Sequence, residues 1–279
     1  MGNNTKRVIK SIIAVPARLE SSRLPNKVIA DIGGKPMLLR VLDQCRKSEN
    51  KSKIVLCTDC KKLADLAVNS WNYDVIITSK DCTSGSERIA SVTDLLVRKA
   101  WGFNTNNKDN LENFYKNTLI INIQGDQPFL DPNVIDKMID NFKSNKNVPE
   151  VITPIYKLSE NNIHNPAVVK TLISINGNVI YFSRSALPHV RDVPEQEWYL
   201  HAEYWGHVGM YGYRADILKK WFTYPYSKLE ELEKLEQLKL IEAGCTFDTF
   251  KIDGDSLSID TKEQLEEARS YAKNLFKDV

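Results

Sequence analysis

Residues 8–27 read VIKSIIAVPARLESSRLPNK, an apolar and β-branched run followed at once by a loop that carries three cations. The run over residues 8–15 has the composition of a buried strand. The cations are Arg18, Arg23 and Lys27, and ligands of open α/β sheets bind at the carboxyl ends of strands. Arginine forks and lysine point charges both bind phosphate oxygens. On these residues alone, a phosphate-binding loop and a solvated basic loop both remain open.

Strand-like and helix-like segments alternate through the first half of the chain. Further strands are predicted over residues 53–57, 75–78 and 119–123, and helices over 36–46, 61–70, from near 86, and 131–142. This alternation predicts an α/β fold with a mostly parallel sheet that helices cover on both faces. Residues 102–117, rich in Asn and Lys, are predicted to form a surface insertion.

The second half of the chain is richer in predicted strands. These cover residues 151–156, 168–175 and 207–213, and the turn Asn176-Gly177-Asn178 predicts a hairpin after the second. Leucines at positions 229, 232, 235 and 238 predict one amphipathic helix. A last helix is predicted over residues 261–276, with Asp260 or Thr261 as its cap.

Composition excludes several classes of protein. The net charge of +2 over 279 residues gives no indication of a nucleic-acid partner. No apolar run approaches the roughly 20 residues that a membrane span needs, and Lys10 interrupts the first run, so we expect a cytoplasmic protein without a membrane partner. Five scattered cysteines do not form a disulfide framework, and Cys57 and Cys60 are predicted to be buried or incidental thiols.

Two further segments carry candidate chemistry. Residues 83–89, TSGSERI, open a predicted helix that is either simply capped by Ser84 or Ser86 or also binds an anion at its first turn. Asp126 ends the fourth predicted strand, after Gln124 and Gly125. A carboxylate there suits a divalent cation, but a lone aspartate after a strand is usually a helix cap or a turn former.

Together, the motifs resemble those of one enzyme family, in order and over nearly the whole chain. Residues 16–43, PARLESSRLPNKVIADIGGKPMLLRVLD, resemble the N-terminal signature of the CMP-KDO synthetases, the 3-deoxy-manno-octulosonate cytidylyltransferases. Similar matches follow at SGSER (84–88), QGDQP (124–128), YFSRS (181–185), HVGMYGY (207–213), LEQL (235–238) and IDTKEQL (259–265). Ser86, Gln127 and Lys262 depart from the family's usual Thr, Glu and Pro.

The resemblance implies a fold and a reaction. The fold is a Rossmann-like nucleotidyltransferase α/β fold, a mixed and mostly parallel sheet flanked by helices with a smaller β-rich dimerisation and sugar-binding subregion. Residues 1–279 then form one domain, with a nucleotide-binding core over 1–148 and 215–279 and the subregion over 149–214. The implied activity is transfer of a cytidylyl group from CTP to the anomeric hydroxyl of 3-deoxy-D-manno-octulosonate (KDO), with release of pyrophosphate, for lipopolysaccharide or capsule synthesis. The implied cofactor is Mg2+, and the implied assembly is a homodimer.

The resemblance also implies roles for individual residues. The implied nucleotide-binding residues are Pro16, Ala17, Arg18, Arg23, Lys27, Ser84, Arg88 and Gln124. The implied sugar-binding residues are Arg23, Gln124, Arg184, His207, Tyr211, Glu236 and Gln237. Asp126 and Asp260 are the implied metal ligands, and with Arg18 and Lys27 they form the implied catalytic set.

Two other hypotheses stay open at this stage. One is a cytidylyltransferase for a different sugar acid, such as 8-amino-KDO or a sialic or legionaminic acid. The other is a non-catalytic nucleotide-binding relative. The aromatic segment 193–205, with Trp198, Tyr199 and Trp205, is expected to be exposed and to form a lid, a dimer contact or an altered sugar pocket.

Overall fold

The computed structural model describes residues 8–20, 24–50, 52–103, 112–144, 148–254 and 258–275. The strands are β1 (Lys10–Ala17), β2 (Asp31–Ile32), β3 (Lys35–Pro36), β4 (Lys53–Thr58), β5 (Asp74–Ile77), β6 (Thr118–Ile123), β7 (Val151–Lys157), β8 (Lys170–Ile173), β9 (Val179–Ser183), β10 (Trp205–His207), β11 (Met210–Arg214) and β12 (Phe247–Ile252). The helices are α1 (Met37–Arg46), α2 (Lys61–Asn69), α3 (Gly85–Ala90), α4 (Thr93–Trp101), α5 (Glu112–Tyr115), α6 (Pro132–Ser144), α7 (Trp198–His201), α8 (Ala215–Lys219), α9 (Lys228–Glu233), α10 (Leu238–Glu242) and α11 (Lys262–Leu275).

One large sheet runs through both halves of the chain. Within the described ranges it has ten strands, in the order β5-β4-β1-β6-β11-β7-β10-β8-β9, with β12 beside β7. The first-half strands pair in parallel, β11 joins them antiparallel to β6, and β12 is parallel to β7. This confirms the predicted α/β class with a mixed, mostly parallel central sheet.

The first strand is the centre of the parallel half because both of its faces are buried. Ile13 and Val15 face one core cluster, which contains apolar residues of α1 and α6. Ile12 and Ala14 face the other, with residues of α4 and α8. A strand between two apolar layers needs a continuous rather than an alternating apolar run, and β1 has one. Its carboxyl end therefore lies at the same sheet edge as those of β4 and β6.

The predicted strand over 207–213 is wrong as a single element. The chain turns at Val208 and Gly209, where Met210 N donates to Val208 O at 2.6 Å. Before the turn β10 pairs with β7 and β8, and after it β11 pairs with β6 and β7. His207 and Tyr211 therefore lie on different strands.

The predicted continuous leucine helix is also wrong. Helix α9 ends where Lys234 adopts the left-handed conformation (φ 54°), and α10 begins only at Leu238. Leu232 is exposed, whereas Leu235 and Leu238 are buried. Of the four leucines, Leu229 and Leu232 lie on α9, Leu235 lies between the helices and Leu238 begins α10.

Most other boundaries agree with the sequence predictions to within a few residues. β1 begins at Lys10 rather than residue 8, and β8 covers only the middle of predicted strand 168–175. The hairpin is confirmed, with Gly177 at φ 83° and β8 antiparallel to β9. The cap of the last helix is confirmed too, because Gln264 N donates to Thr261 Oγ1 at 3.2 Å and Gln264 Oε1 accepts from the Asp260 and Thr261 N–H groups.

Segments 102–117 and 193–205 were both expected on the surface, but each has aromatic side chains that pack against the protein. In the 102–117 insertion, residues 104–111 lie outside the described residues, but Phe103 and Phe114 pack around Trp101. In the 193–205 segment, Trp198 is buried and its Nε1 donates to Val193 O, which corrects the expectation that it is exposed. None of the helices within the described ranges combines the length and apolar character needed to span a membrane.

Candidate active site

The carboxyl edge of the parallel strands holds a cavity of about 310 Å3. Its walls come from the segments that follow β1, β5 and β6 and from the residue before α11. The described lining residues are Pro16, Ala17, Arg18, Glu20, Lys27, Val28, Cys82, Thr83, Ser84, Gly85, Arg88, Gln124, Gly125, Asp126 and Asp260. All the predicted nucleotide-binding residues line it except Arg23, which lies outside the described residues.

Lys27 joins the two predicted metal ligands inside this cavity. Its Nζ lies 2.8 Å from Asp126 Oδ2 and 2.9 Å from Asp260 Oδ1. Burial acts to lower the pKa of Lys27, but the charges and hydrogen bonds of the two aspartates outweigh burial and raise that pKa above its ordinary value. Lys27 is therefore a fixed cation at neutral pH, and it brings the carboxylates to one point.

Local conformation places Lys27 at that point. Asn26 adopts the left-handed conformation (φ 57°), which asparagine tolerates better than most residues, and a single 3-10 turn over Lys27–Ile29 follows. This turn directs the Lys27 side chain back toward the end of β6.

Asp260 is brought there by packing of the last helix. Ile259 is fully buried in a small apolar cluster with Leu265 of α11. The other members of the cluster include Leu24, Ile32 and Met37, from the chain between β1 and α1 and the start of α1. The Ile259 N–H also donates to Asp126 O at 3.0 Å. Burial and backbone pairing together hold the start of α11 against the end of β6.

Ser84 and Arg88 make structural contacts as well as lining the cavity. Ser84 caps α3 by accepting from Glu87 N at 3.1 Å, which confirms the capped-helix interpretation. Arg88 is 3% exposed and pairs with Asp59 at 3.0 Å. Its Nη1 also donates to Thr78 Oγ1 and to the Ser79 carbonyl. A buried ion pair of this kind fixes the guanidinium in place.

Gly85 is required by close packing at the wall of the cavity. A Cβ at this position would lie 3.0 Å from both terminal amide atoms of Gln124 and 3.1 Å from Pro16 Cγ. The segments after β1, β5 and β6 meet here, and no side chain fits between them.

Comparison with known proteins gives the family. Residues 12–252 match the family model described as cytidylyltransferase. This chain belongs to the cytidylyltransferase family. The match covers both halves of the sheet, and so includes β1 and β12.

Individual members of the family confirm the resemblance drawn from the motifs. A 3-deoxy-manno-octulosonate cytidylyltransferase of Chlorobaculum tepidum is 33% identical over 272 residues, covering 96% of this chain and 99% of the relative. One from Haemophilus influenzae is 35% identical over 265 residues, covering 92% and 96%. A solved structure of CMP:2-keto-3-deoxy-manno-octonic acid synthetase complexed with CTP is 29% identical, covers 96% of this chain and 100% of that one, and superposes with a TM-score of 0.81.

In this family member the aspartate pair has the chemistry for Mg2+. Two carboxylate oxygens already converge on one cation, the Lys27 ammonium, and Mg2+ prefers oxygen ligands. Within the described ranges, no group of three or more His, Cys, Asp or Glu side chains is arranged for a metal. Mg2+ commonly takes one or two carboxylates and completes its shell with water and substrate phosphate. Gln127 is buried and supplies no negative charge where the family has glutamate.

The predicted sugar-binding residues, apart from Gln124 and the undescribed Arg23, lie away from the described cavity lining. Arg184 donates from Nε to Glu233 O at 2.8 Å and from Nη1 to Pro166 O at 3.0 Å. Glu236 contacts Ser86, and Gln237 is buried with no partner for its Nε2 among the described residues. The role of these residues toward the sugar stays a prediction.

His207 and Tyr211 remain neighbours although their strands differ. Their ring centroids lie 5.2 Å apart, and Phe182 packs on His207 at 4.8 Å. Desolvation lowers the pKa of His207 to about 3, so its imidazole is neutral at pH 7. Burial, together with nearby Tyr213 and Glu236, raises the pKa of Tyr211 well above its ordinary value.

The sequence analysis did not identify two buried or partly buried polar residues that contact the residues of the cavity wall. Asn122, fully buried in β6, contacts Ser86 and Gln124, and Asp59 pairs with Arg88. The available signal was a polar side chain inside the apolar strand TLIINI, where an unpartnered amide is costly. For Asp59 the sequence carries no comparable signal.

The neutral state of His207 makes stability fall in acid. The unfolded chain binds a proton near pH 6.5 and the folded chain only near pH 3, so unfolding is favoured as pH falls between these values, by about 1.4 kcal/mol per pH unit. We expect wild type to lose about 2 kcal/mol more unfolding free energy than His207→Gln between pH 7 and pH 5, measured by urea denaturation. The exposed His201 supplies the control, His201→Gln. Equal losses in wild type and His207→Gln would contradict the burial argument.

Proposed function

We propose that this chain transfers the cytidylyl group of CTP to the anomeric hydroxyl of KDO, giving CMP-KDO and pyrophosphate. The observation that carries the proposal is the convergence of Lys27, Asp126 and Asp260 in a cavity lined by Arg18. The relatives that match over nearly the full chain are named for this reaction. A CTP-bound solved structure of the same fold supports CTP as the donor.

The reaction is a displacement at phosphorus. The anomeric hydroxyl oxygen of the sugar attacks the α-phosphorus of CTP, and the bond to the β-phosphate bridging oxygen breaks. Pyrophosphate leaves with that oxygen, and the proton of the attacking hydroxyl passes to solvent. No covalent enzyme intermediate is needed, so the protein acts through positioning and electrostatics.

The main physical difficulty is charge, because an anionic sugar must approach a triphosphate. Arg18 is exposed at the cavity and is able to reach the triphosphate as a bidentate donor. Lys27 supplies a second positive charge whose position its two aspartates fix. When bound, Mg2+ held by Asp126 and Asp260 would neutralise phosphate charge and make the sugar hydroxyl more acidic.

The acceptor side of the proposed site is built from three predicted sugar-binding residues. Arg184 is the proposed partner of the sugar carboxylate, and its backbone contacts to Glu233 and Pro166 would orient the guanidinium. Gln237 has a buried amide nitrogen with no protein partner among the described residues, which favours a ligand hydroxyl as its acceptor. His207 is neutral, and so would bind a hydroxyl rather than a carboxylate.

The setting of the reaction follows from its substrates. CTP is an intracellular nucleotide, so we place the reaction in the cytoplasm, and KDO points to lipopolysaccharide or capsule synthesis. Another sugar acid is the second candidate for the acceptor, because segment 193–205 departs from the family pattern. The intact set Arg18, Lys27, Asp126 and Asp260 argues against a non-catalytic relative.

We also propose a homodimer that forms through the β8–β9 hairpin. Strand β9 is at the end of the sheet order, and Ile175 and Ile180 on this hairpin are 106% and 53% exposed. An exposed edge strand with large apolar side chains is a surface that proteins usually cover.

The proposed reaction is tested by a substrate panel. CTP and Mg2+ are incubated with KDO, 8-amino-KDO, sialic acid and legionaminic acid, and pyrophosphate release is measured. We expect the highest kcat/KM with KDO, and about a 100-fold loss in Asp126→Asn because a charge at the proposed metal site is removed. Asp140→Asn, an exposed aspartate on α6, is the matched control and should retain activity. Absence of turnover with every acid would refute the proposal, and full activity of Asp126→Asn would remove this residue from the metal site.

The proposed dimer is tested by sedimentation velocity. We expect wild type to sediment as a dimer, and the double variant Ile175→Asp/Ile180→Lys to sediment as a monomer, because charges replace the apolar contact. Val68→Asp changes an equally exposed residue on α2 and should leave the dimer intact. A wild-type monomer at working concentration would contradict the proposal.

A further inference from the structure

A chain of hydrogen bonds runs from the cavity wall into the protein. Gln124 Nε2 lies 3.1 Å from Asn122 Oδ1, and Asn122 Nδ2 lies 3.1 Å from Ser86 Oγ. Ser86 Oγ lies 2.7 Å from Glu236 Oε1. The chain thus starts at Gln124, which lines the cavity, and ends at Glu236, just before α10.

The carboxylate at one end fixes the direction of every bond in this chain. A glutamate carboxylate at neutral pH only accepts hydrogen bonds, so the Ser86 hydroxyl must donate its single proton to Glu236. The Ser86 oxygen can then only accept from Asn122, which must present its NH2 group. Asn122 therefore turns its carbonyl to Gln124, and Gln124 must donate through its own NH2 group.

Two further contacts of Ser86 exclude the opposite direction for these hydrogen bonds. Ser86 N also donates to Glu236 Oε2 at 3.3 Å, which holds the carboxylate in place. Tyr213 OH lies 2.9 Å from Ser86 Oγ. Burial is the main cause that raises the pKa of Tyr213 well above its ordinary value, and the charge of Glu236 is the second. Tyr213 thus stays protonated and supplies the second bond that Ser86 accepts. Ser86 then donates once and accepts twice, which is its full capacity.

The fixed direction determines what Gln124 offers to a ligand. One of the two N–H donors of its NH2 group is used toward Asn122, and its Oε1 accepts no hydrogen bond from the described residues. Gly85 lies directly against the amide, so the cavity is walled there by backbone rather than by a side chain. We propose that Glu236, acting through Ser86 and Asn122, makes Gln124 a hydrogen-bond acceptor in the cavity, and that this selects a ligand group that donates.

The ligand group is an amino or hydroxyl donor, and this inference rests on the proposed function for its source. In the proposed reaction, the donors are the exocyclic amino group of cytosine and the hydroxyls of the sugar. UTP carries a carbonyl in place of that amino group, so two oxygens would face each other if Gln124 contacted the base. Ser86 and Asn122 are positioning residues in this account, and Gln124 is the residue that touches the ligand.

The test combines Ser86→Ala with two measurements. Hydrogen exchange of the Gln124 side-chain NH2 group, followed by NMR and assigned with Gln124→Ala, reports the bond to Asn122. We expect it to be slow in wild type, faster in Ser86→Ala, and slow again in Ser86→Thr, which restores the hydroxyl. Calorimetric CTP and UTP affinities and the KM for KDO report the ligand contact.

We expect Ser86→Ala to weaken one ligand by about three- to tenfold, the cost of a single hydrogen bond. Weaker CTP binding with unchanged UTP binding identifies the cytosine amino group, and a raised KM for KDO at unchanged CTP affinity identifies a sugar hydroxyl. Both support the proposal. Because Ser86 acts through Gln124, Ser86→Ala should cause no further loss in a Gln124→Ala background.

Three outcomes would overturn the inference. These are unchanged Gln124 exchange in Ser86→Ala, unchanged affinities for all three ligands, and a further loss in the Gln124→Ala background. Folding of each variant is checked by thermal unfolding, and Ser86→Thr separates loss of the hydroxyl from disturbance of the buried position. Failure of the proposed function has a different signature, namely no turnover of CTP and KDO by wild type while the Gln124 exchange pattern is as expected.

Discussion

The site depends on one electrostatic constraint, the pairing of the Lys27 ammonium with Asp126 and Asp260. These aspartates are 99 and 233 residues from Lys27 in the sequence, so the pairing closes long stretches of chain. Two carboxylates at one point repel each other without a cation between them. The same convergence holds a positive charge in the cavity where we propose that the CTP triphosphate binds.

The sheet makes this convergence possible. Parallel strands carry their following loops to one edge, and β1 is parallel to both β4 and β6. The antiparallel half extends the same sheet, and β11 pairs directly with β6. Tyr213 of β11 and Asn122 of β6 both contact Ser86, which links β11, β6 and α3 through buried polar groups.

The parallel half of the fold was predictable because its signals are local. A continuous apolar run, helical spacing and the Asn176-Gly177-Asn178 turn each follow from backbone chemistry. The second half was predicted less well, since the break at Gly209 and the left-handed Lys234 depend on which strands and helices pack nearby. The cavity residues were found by motif, but Asn122 and Asp59 were not, because their partners are distant in the sequence and only the fold brings them together.

We propose that Lys27, Asp126 and Asp260 surround the triphosphate and its divalent ion. A crystal structure with CTP and Mn2+, in which anomalous scattering locates the metal, tests it most directly. We expect an anomalous peak within coordination distance of both aspartates, with the phosphates beside Arg18 and Lys27. A nucleotide bound outside this cavity, or a metal distant from either aspartate, would contradict it.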